Sequence, residues 1–396
     1  MSNIVFFCIP AHGHTNPTLG VVKELVSRGH HVTYYSYEAF REKIVAAGAQ
    51  FVPCDPYDIE QKLTTKEIVK LGKDLAFSTQ VLVDTTLALD DVVCAHMEEL
   101  RPDCIVADSM AVWGKAVALK LGIPMVSSTT TFAFNEHSAK IMKQGFMDLL
   151  KMILSLPKIN KNVKRLQAAG YPIKSILDII QNDNETHTIV YTSPEFQPCS
   201  ETFSDKYVFV GPSIRPPQST IEKTADKLIY ISMGTVNNDL LPFYKNCIKA
   251  FADTPHQVIM SIGNWTDMDA LGPIPGNFTV ASYVDQMAVL EKTDAFITHC
   301  GMNSTSEGLY FQTPLVMFPQ QAEQGGVASR VEELGAGIRL DSADPDAIKE
   351  AVEKVLADPS YKEAAIKISD SFKRCSGAKG AADKIESLCK KQQKRE

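Results

Sequence analysis

Short apolar runs alternate with helical stretches along the first third of the chain. Residues 4–9, 31–36, 50–54, 103–108 and 125–128 are strand-sized runs, nearly all apolar. Between them, residues 17–28, 37–47 and 110–121 read as helices, closed by Gly29, Gly48 and Gly122. Strands with no polar alternation imply a parallel sheet covered by helices on both faces. Right-handed crossovers then predict an open, doubly wound sheet.

From about 132 to 186 the texture changes to helices without strands. Phe132, Phe134, Met142, Phe146, Met147 and Met152 punctuate this region. They fit ordinary core packing, or an adaptable wall for apolar ligands. Residues 211–226, with Arg215-Pro216-Pro217-Gln218-Ser219-Thr220 at their centre, are the best linker candidate, stiffened by proline. The alternation then restarts. Strands are predicted at 228–233, 257–262, 278–284, 295–299 and 315–318. Helices are predicted at 240–253, 287–293, 303–311, 325–335, 346–357, 361–372 and 378–391. The expected organisation is an N-terminal domain over 1–213, a linker over 214–226 and a C-terminal domain over 227–377. Ligands of such sheets bind beyond the carboxyl ends of the strands, so two facing sheets would share one inter-domain cleft.

Composition narrows the function. The chain has 396 residues, 44% hydrophobic and 22% charged, which excludes disorder and fibres. With 40 Lys plus Arg against 47 Asp plus Glu, the net charge is -7, which argues against a nucleic-acid partner. Any anionic substrate must therefore be held against the overall charge. The 9 cysteines form no Cys-x-x-Cys pair and suit a reducing compartment. The first residues lack the basic flank of a signal peptide, and no run reaches the ~18–20 apolar residues of a membrane helix. The expectation is a soluble cytoplasmic protein.

Three motifs carry chemistry. Ala11-His12-Gly13-His14-Thr15-Asn16-Pro17 follows the first strand, with Pro17 expected in the first helical turn. His14 there has three readings: a general base, a metal ligand, or a histidine that satisfies a turn. Asp108 ends the strand at 103–108. It either orients an imidazole, as in a Ser-His-Asp triad, or caps the helix that follows. Thr298-His299-Cys300-Gly301-Met302-Asn303-Ser304-Thr305-Ser306-Glu307 runs from strand through glycine into a helix start. Its donors beside exposed N–H groups suggest a phosphate cradle, and it matches neither Walker A nor Gly-x-Gly-x-x-Gly. Ser232-Met233-Gly234-Thr235, Tyr283-Val284-Asp285-Gln286 and Gln320-Gln321-Ala322-Glu323-Gln324 follow neighbouring strands. Asp267-Met268-Asp269 and Asp344-Pro345-Asp346 read as turns and caps rather than metal sites.

The His14 and His299 motifs together resemble the UDP-dependent glycosyltransferases of family 1, in particular the bacterial macrolide glycosyltransferases. The resemblance runs through the whole chain. It implies the GT-B fold, two facing Rossmann-like domains, with the last helix, about 378–396, packed back on the first. It implies inverting, metal-independent transfer of glucose from UDP-glucose to a hydroxyl of a flavonoid, phenolic or macrolide-like acceptor. By this resemblance His14 is the base and Asp108 orients it. His299, Gly301, Asn303 and Ser304 would bind the diphosphate, with Ser232 and Thr235 nearby. Glu307 would take the ribose hydroxyls. Tyr283 would stack on uracil beside Val284 and Gln286, and Glu323 and Gln324 would bind the sugar. UDP-glucose would be a co-substrate, with no permanently bound cofactor. Many relatives have Pro where Asp285 stands, and plant members have Trp where Tyr283 stands. Two alternatives stay open, a nucleotide-sugar 2-epimerase of similar fold and a non-catalytic nucleotide-sugar-binding protein.

Overall fold

The computed structural model describes residues 1–57, 64, 67, 74–135, 137–138, 146–180, 182–234 and 239–393, without side chains at 146–154 and 391–393. Met142 and Thr235 lie outside the described residues, as do the side chains of Phe146, Met147 and Met152. The chain forms two compact units. One comprises residues 1–191, 199–213 and 376–396, the other 192–198 and 214–375.

The first unit holds a seven-stranded, all-parallel sheet in the order β3-β2-β1-β4-β5-β6-β7. Its strands are β1 Asn3–Phe7, β2 His31–Ser36, β3 Gln50–Pro53, β4 Cys104–Asp108, β5 Met125–Thr129, β6 Thr188–Val190 and β7 Tyr207–Phe209. The expected strands are all present: β2 has the expected bounds, and the others differ by one or two residues at an end. β6 and β7, with three residues each, are not among the predicted strands. The central strands are buried on both faces because apolar side chains point each way. On one face Phe6 stacks on Tyr34 at 5.4 Å, and on the other Phe7 stacks on Tyr35 at 4.7 Å.

The helices of this unit that precede the C-terminal one are α1 His12–Ser27, α2 Arg41–Ala46, α3 Leu75–Leu100, α4 Val112–Leu121, α5 Phe146–Ala168 and α6 Leu177–Ile180. α1 starts five residues before the expected boundary. Pro17 therefore sits inside the helix rather than in its first turn, where it forgoes one backbone hydrogen bond. α4 ends on Gly122, whose φ of 66° is the left-handed conformation that glycine adopts without a Cβ clash.

The C-terminal helix, numbered α13 below, belongs to the same unit. Ala381, Ala382, Ile385, Leu388 and Cys389 line one helical stripe and pack among Ile4, Phe6 and Val21. Arg28, at the end of α1, ties the outer face with a fork to Asp383 at 2.6 Å and Glu386 at 3.1 Å.

The second unit holds six parallel strands in the order β10-β9-β8-β11-β12-β13. They are β8 Leu228–Ser232, β9 Gln257–Ser261, β10 Phe278–Ala281, β11 Ala295–Thr298, β12 Leu315–Met317 and β13 Gly337–Arg339. The helices are α7 Leu241–Phe251, α8 Gln286–Leu290, α9 Met302–Tyr310, α10 Ala322–Glu333, α11 Pro345–Ala357 and α12 Pro359–Arg374, followed by α13 Gly377–Gln393 in the first unit. The predicted β10 overran its end by three residues, and that excess is the turn carrying Tyr283. Among the described residues no helix is long and apolar enough to cross a membrane.

Close helix–sheet packing fixes where two glycines can change. A Cβ on Gly114 of α4 would lie 2.8 Å from Phe7 Cβ and 3.0 Å from Ala107 Cβ. Neither atom can swing away, so overpacking outweighs the helix propensity of alanine. Gly114→Ala should cost about 1–3 kcal/mol. Gly326 on α10 meets nothing within 4 Å, and Gly326→Ala should stabilise by roughly 0.5–1 kcal/mol. Denaturant unfolding of both variants checks the contrast, which disappears, with both variants stabilised, if packing does not decide.

Candidate active site

A doubly wound sheet has a switch point where the strand order reverses, and chain segments leaving the two strands there diverge to opposite faces. In the first unit that point lies between β1 and β4. His14 stands on the first turn of α1, just after β1, and Asp108 is the last residue of β4. The switch point thus brings together two residues 94 apart in sequence, with His14 Nδ1 at 2.8 Å from Asp108 Oδ1. The Asp108 side chain is 1% exposed and that of His14 is 18% exposed. The capping role open to Asp108 is not taken, since α4 begins after Ala111 with no side-chain cap.

A carboxylate only accepts, so Nδ1 carries the proton and the lone pair is left on Nε2. That tautomer is the one a general base needs. Thr130, directly after β5, places its Oγ1 3.2 Å from the same Nδ1. This residue was not singled out from the sequence. The polar run Ser127-Ser128-Thr129-Thr130-Thr131 at a strand end was its only signal. Among the described residues no group of three or more His, Cys, Asp or Glu is arranged to hold a metal ion.

The second unit repeats the construction. Its switch point lies between β8 and β11, where Ser232 and Thr298 are directly paired. Ser232 ends β8, and His299 follows β11. The His299 imidazole is held between two glycines. A Cβ on Gly234 would lie 2.7 Å from Nε2, and one on Gly301 would lie 2.5 Å from it. The turn is tight enough to force Cys300 to a φ of 65°, a left-handed conformation that costs a non-glycine residue about 1–2 kcal/mol. The Thr298 hydroxyl accepts from the Cys300 amide at 3.2 Å, and Thr305 donates to the Cys300 sulfur at 3.3 Å. Burial lowers the His299 pKa to about 4, against an opposing pull from the Ser232 backbone, so the ring is neutral at pH 7.

Gly301 is the N-cap of α9, and Asn303 and Ser304 lie in its first turn. The exposed N–H groups there and the helix dipole favour an anion. Glu307, one turn on, is bridged by Gln286, whose amide donates to the carboxyl group and lies 3.5 Å from Ser304 Oγ. Tyr230 donates to Gln286 Oε1 at 3.0 Å and so fixes the amide's orientation. Burial raises the Glu307 pKa to about 7, while Gln286 and the charge of Arg215 pull it down. Tyr283 is 72% exposed, and its neighbour Val284 is half-buried.

Glu323 lies in the first turn of α10 and is exposed. Gln324 forms a capping box with Gln321, and its Oε1 accepts from the amides of Gln320 at 2.7 Å and Gln321 at 3.2 Å. Asp267-Met268-Asp269 leads into a short 3-10 turn, and Asp344 precedes α11.

A neutral histidine, hydroxyls and a helix N-terminus are groups that can hold an anion, and a His–Asp dyad can accept a hydroxyl proton. Two Rossmann-like parallel-sheet units are the architecture of the GT-B glycosyltransferases. The comparisons agree. Residues 245–381 match the family model described as the erythromycin biosynthesis protein CIII-like C-terminal domain. The chain is 36% identical to the uncharacterized UDP-glucosyltransferase YojK of Bacillus subtilis, over 97% of each chain. It is 34% identical to the NDP-glycosyltransferase YjiC of the same organism, over 97% of this chain and 96% of that one. The crystal structure of the glycotransferase of kitacinnamycin superposes with a TM-score of 0.85 at 28% identity, covering 98% of both chains. The chain belongs to family 1 of the UDP-dependent glycosyltransferases, in the bacterial macrolide-type subfamily.

The raised pKa of Glu307 has a sign that can be checked. A carboxyl group whose folded pKa exceeds its unfolded value stabilises the fold while protonated, below about 4.5. That contribution is lost as pH rises through about 7. Glu307→Gln keeps the bridge to Gln286 and removes the buried charge. It should gain up to about 3 kcal/mol on wild type between pH 5 and pH 8. Urea unfolding at the two pH values, without ligand, measures the difference, and an equal effect at both would refute it.

Proposed function

We propose that this enzyme moves glucose from UDP-glucose to a hydroxyl of an apolar small molecule, with inversion and without a metal ion. The observation that carries the reading is the 2.8 Å His14–Asp108 pair with Nε2 left as the base. The acceptor's hydroxyl proton passes to Nε2 as its oxygen forms a bond to the anomeric carbon. The bond from that carbon to the phosphate oxygen breaks in the same displacement, so the configuration inverts. Asp108 stabilises the imidazolium that forms.

UDP leaves with the extra negative charge on its diphosphate. His299, Gly301, Asn303, Ser304 and Ser232 meet that charge with neutral donors and the α9 N-terminus, and Thr235 is assigned beside them. Glu307 receives the ribose hydroxyls, and Tyr283 supplies the platform for uracil beside Val284 and Gln286. Glu323 and the NH₂ end of Gln324 take sugar hydroxyls. The acceptor is a flavonoid, phenolic or macrolide-like alcohol, and the compartment is the cytoplasm, in keeping with nine cysteines outside any disulfide.

Two variants separate the roles. His14→Ala should lower kcat with UDP-glucose and a simple flavonol by roughly 10²–10⁴-fold while UDP binds as before. Retained turnover would remove His14 as the base, and strong inhibition by EDTA would revive a metal-assisted route. His299→Ala should weaken UDP binding by roughly tenfold or more, read by titration calorimetry. Unchanged affinity would sink the cradle.

A further inference from the structure

Asp285 stands where its side chain should cap a helix, and it does not. It is the N-cap residue of α8, with φ −70° and ψ 91°, yet its carboxylate makes no cap hydrogen bond. The carboxylate turns instead to a stretch nearly 70 residues earlier. Oδ2 accepts from the Gln218 amide at 2.6 Å, the Ser219 amide at 3.0 Å and the Ser219 hydroxyl at 3.3 Å. Oδ1 lies 2.9 Å from Arg215 Nη1. The side chain is only 11% exposed. Burial works against its charge, and the Gln218 amide, Arg215 and the Ser219 amide together outweigh it, so the carboxyl group stays below its ordinary pKa.

The clasped stretch is preorganised. Pro216 and Pro217 fix their own φ and restrict Arg215, so the charge and the two amides present a set spacing to one carboxylate. On its other side the turn is held by the segment just after β9, where the Gly263 amide donates to the Ser282 carbonyl at 3.1 Å. Between these two anchors lie Tyr283 and Val284, and directly after Asp285 comes Gln286, the bridge to Glu307. Relaxing either anchor would let the exposed Tyr283 ring and the Gln286 amide shift together.

We propose that Asp285 is a positioning residue for the nucleotide: by clasping residues 215–219 it fixes the turn that carries Tyr283 and Gln286. The proposal rests on the reading of that turn as the place where the base of a UDP-sugar binds. Asp285 itself touches neither donor nor acceptor in this scheme. The expected defect is therefore in donor affinity rather than in chemistry.

The test uses the full-length enzyme and the variants Asp285→Ala and Asp285→Asn. Amide hydrogen exchange at Gln218 and Ser219 reads the clasp. Titration with UDP, together with KM for UDP-glucose and kcat with a simple flavonol, reads its consequence. Asp285→Ala should lose amide protection and raise the UDP Kd and donor KM roughly tenfold, with kcat within about twofold and the acceptor KM unchanged. Asp285→Asn, which keeps an oxygen for the two amides and loses the ion pair, should fall between, and it serves if the alanine variant does not fold. Unchanged protection, or lost protection with wild-type donor affinity, would overturn the proposal. A wild-type chain that does not bind UDP would overturn the donor reading and the role given to the turn with it. Wild-type binding beside an equally tight Asp285→Ala variant would overturn the clasp alone.

Discussion

Parallel strands can be paired only if the chain crosses back to its starting edge after each one, and that constraint organises everything else here. Within each sheet, taken by itself, all strands are parallel and end at one edge. The loops that follow the strands therefore collect there, and only at the switch point do neighbouring loops part to leave room for a ligand. In the first unit the switch point pairs the ends of β1 and β4, and hence His14 with Asp108. In the second it pairs β8 with β11, and hence Ser232 and Gly234 with His299. The chemistry of each unit follows from strand order before any side chain is chosen.

The same constraint answers the charge question raised by a chain of net charge -7. Residues 293–329 contain no Lys or Arg, yet they include the site proposed for the diphosphate. A helix starting directly after a buried strand offers several N–H groups with no intrahelical partner, and their dipoles need no counterion to be kept folded. His299 adds a donor that burial keeps neutral. Such a cradle is built from groups that cost little to desolvate, whereas buried Lys or Arg would have to be paired and neutralised in the free enzyme. Net charge then describes the surface and is silent about the substrate.

How much of this was legible in the sequence depends on the range of each interaction. The buried central strands were legible because a strand covered on both faces must be apolar throughout, as in Ile4 to Phe7 and Cys104 to Ala107. β6, β7 and β13 were not, although β12, equally short, was: it lies in the apolar run Leu315 to Phe318, whereas Thr188 opens β6 and Gly337 and Arg339 flank one apolar residue in β13. The His14 and His299 motifs were legible because glycine, histidine and a helix start must be adjacent in sequence to make such a turn. Thr130 was not, because its relation to His14 spans 116 residues and is made by strand order. The start of α1 was misplaced for a local reason. Proline is common in a first turn, and nothing in the sequence shows that the helix begins at His12 and absorbs Pro17.

Asp285 shows how a single residue can look ordinary in sequence and be informative in space. An acid before a short helix is the usual cap, and that reading would have ended the matter. A cap, however, would satisfy only groups within α8 itself. The carboxylate instead holds an ion pair and three further hydrogen-bond contacts from residues that precede β8. Two of its four contacts are to backbone amides, so much of its demand is for the path of residues 215–219, and the Ser219 hydroxyl and Arg215 add side-chain contacts to it. The charge of Arg215 also acts on buried Glu307. One guanidinium thus links the clasp to the carboxyl group assigned to ribose, which ties the geometry of the turn to the electrostatics of the site it serves.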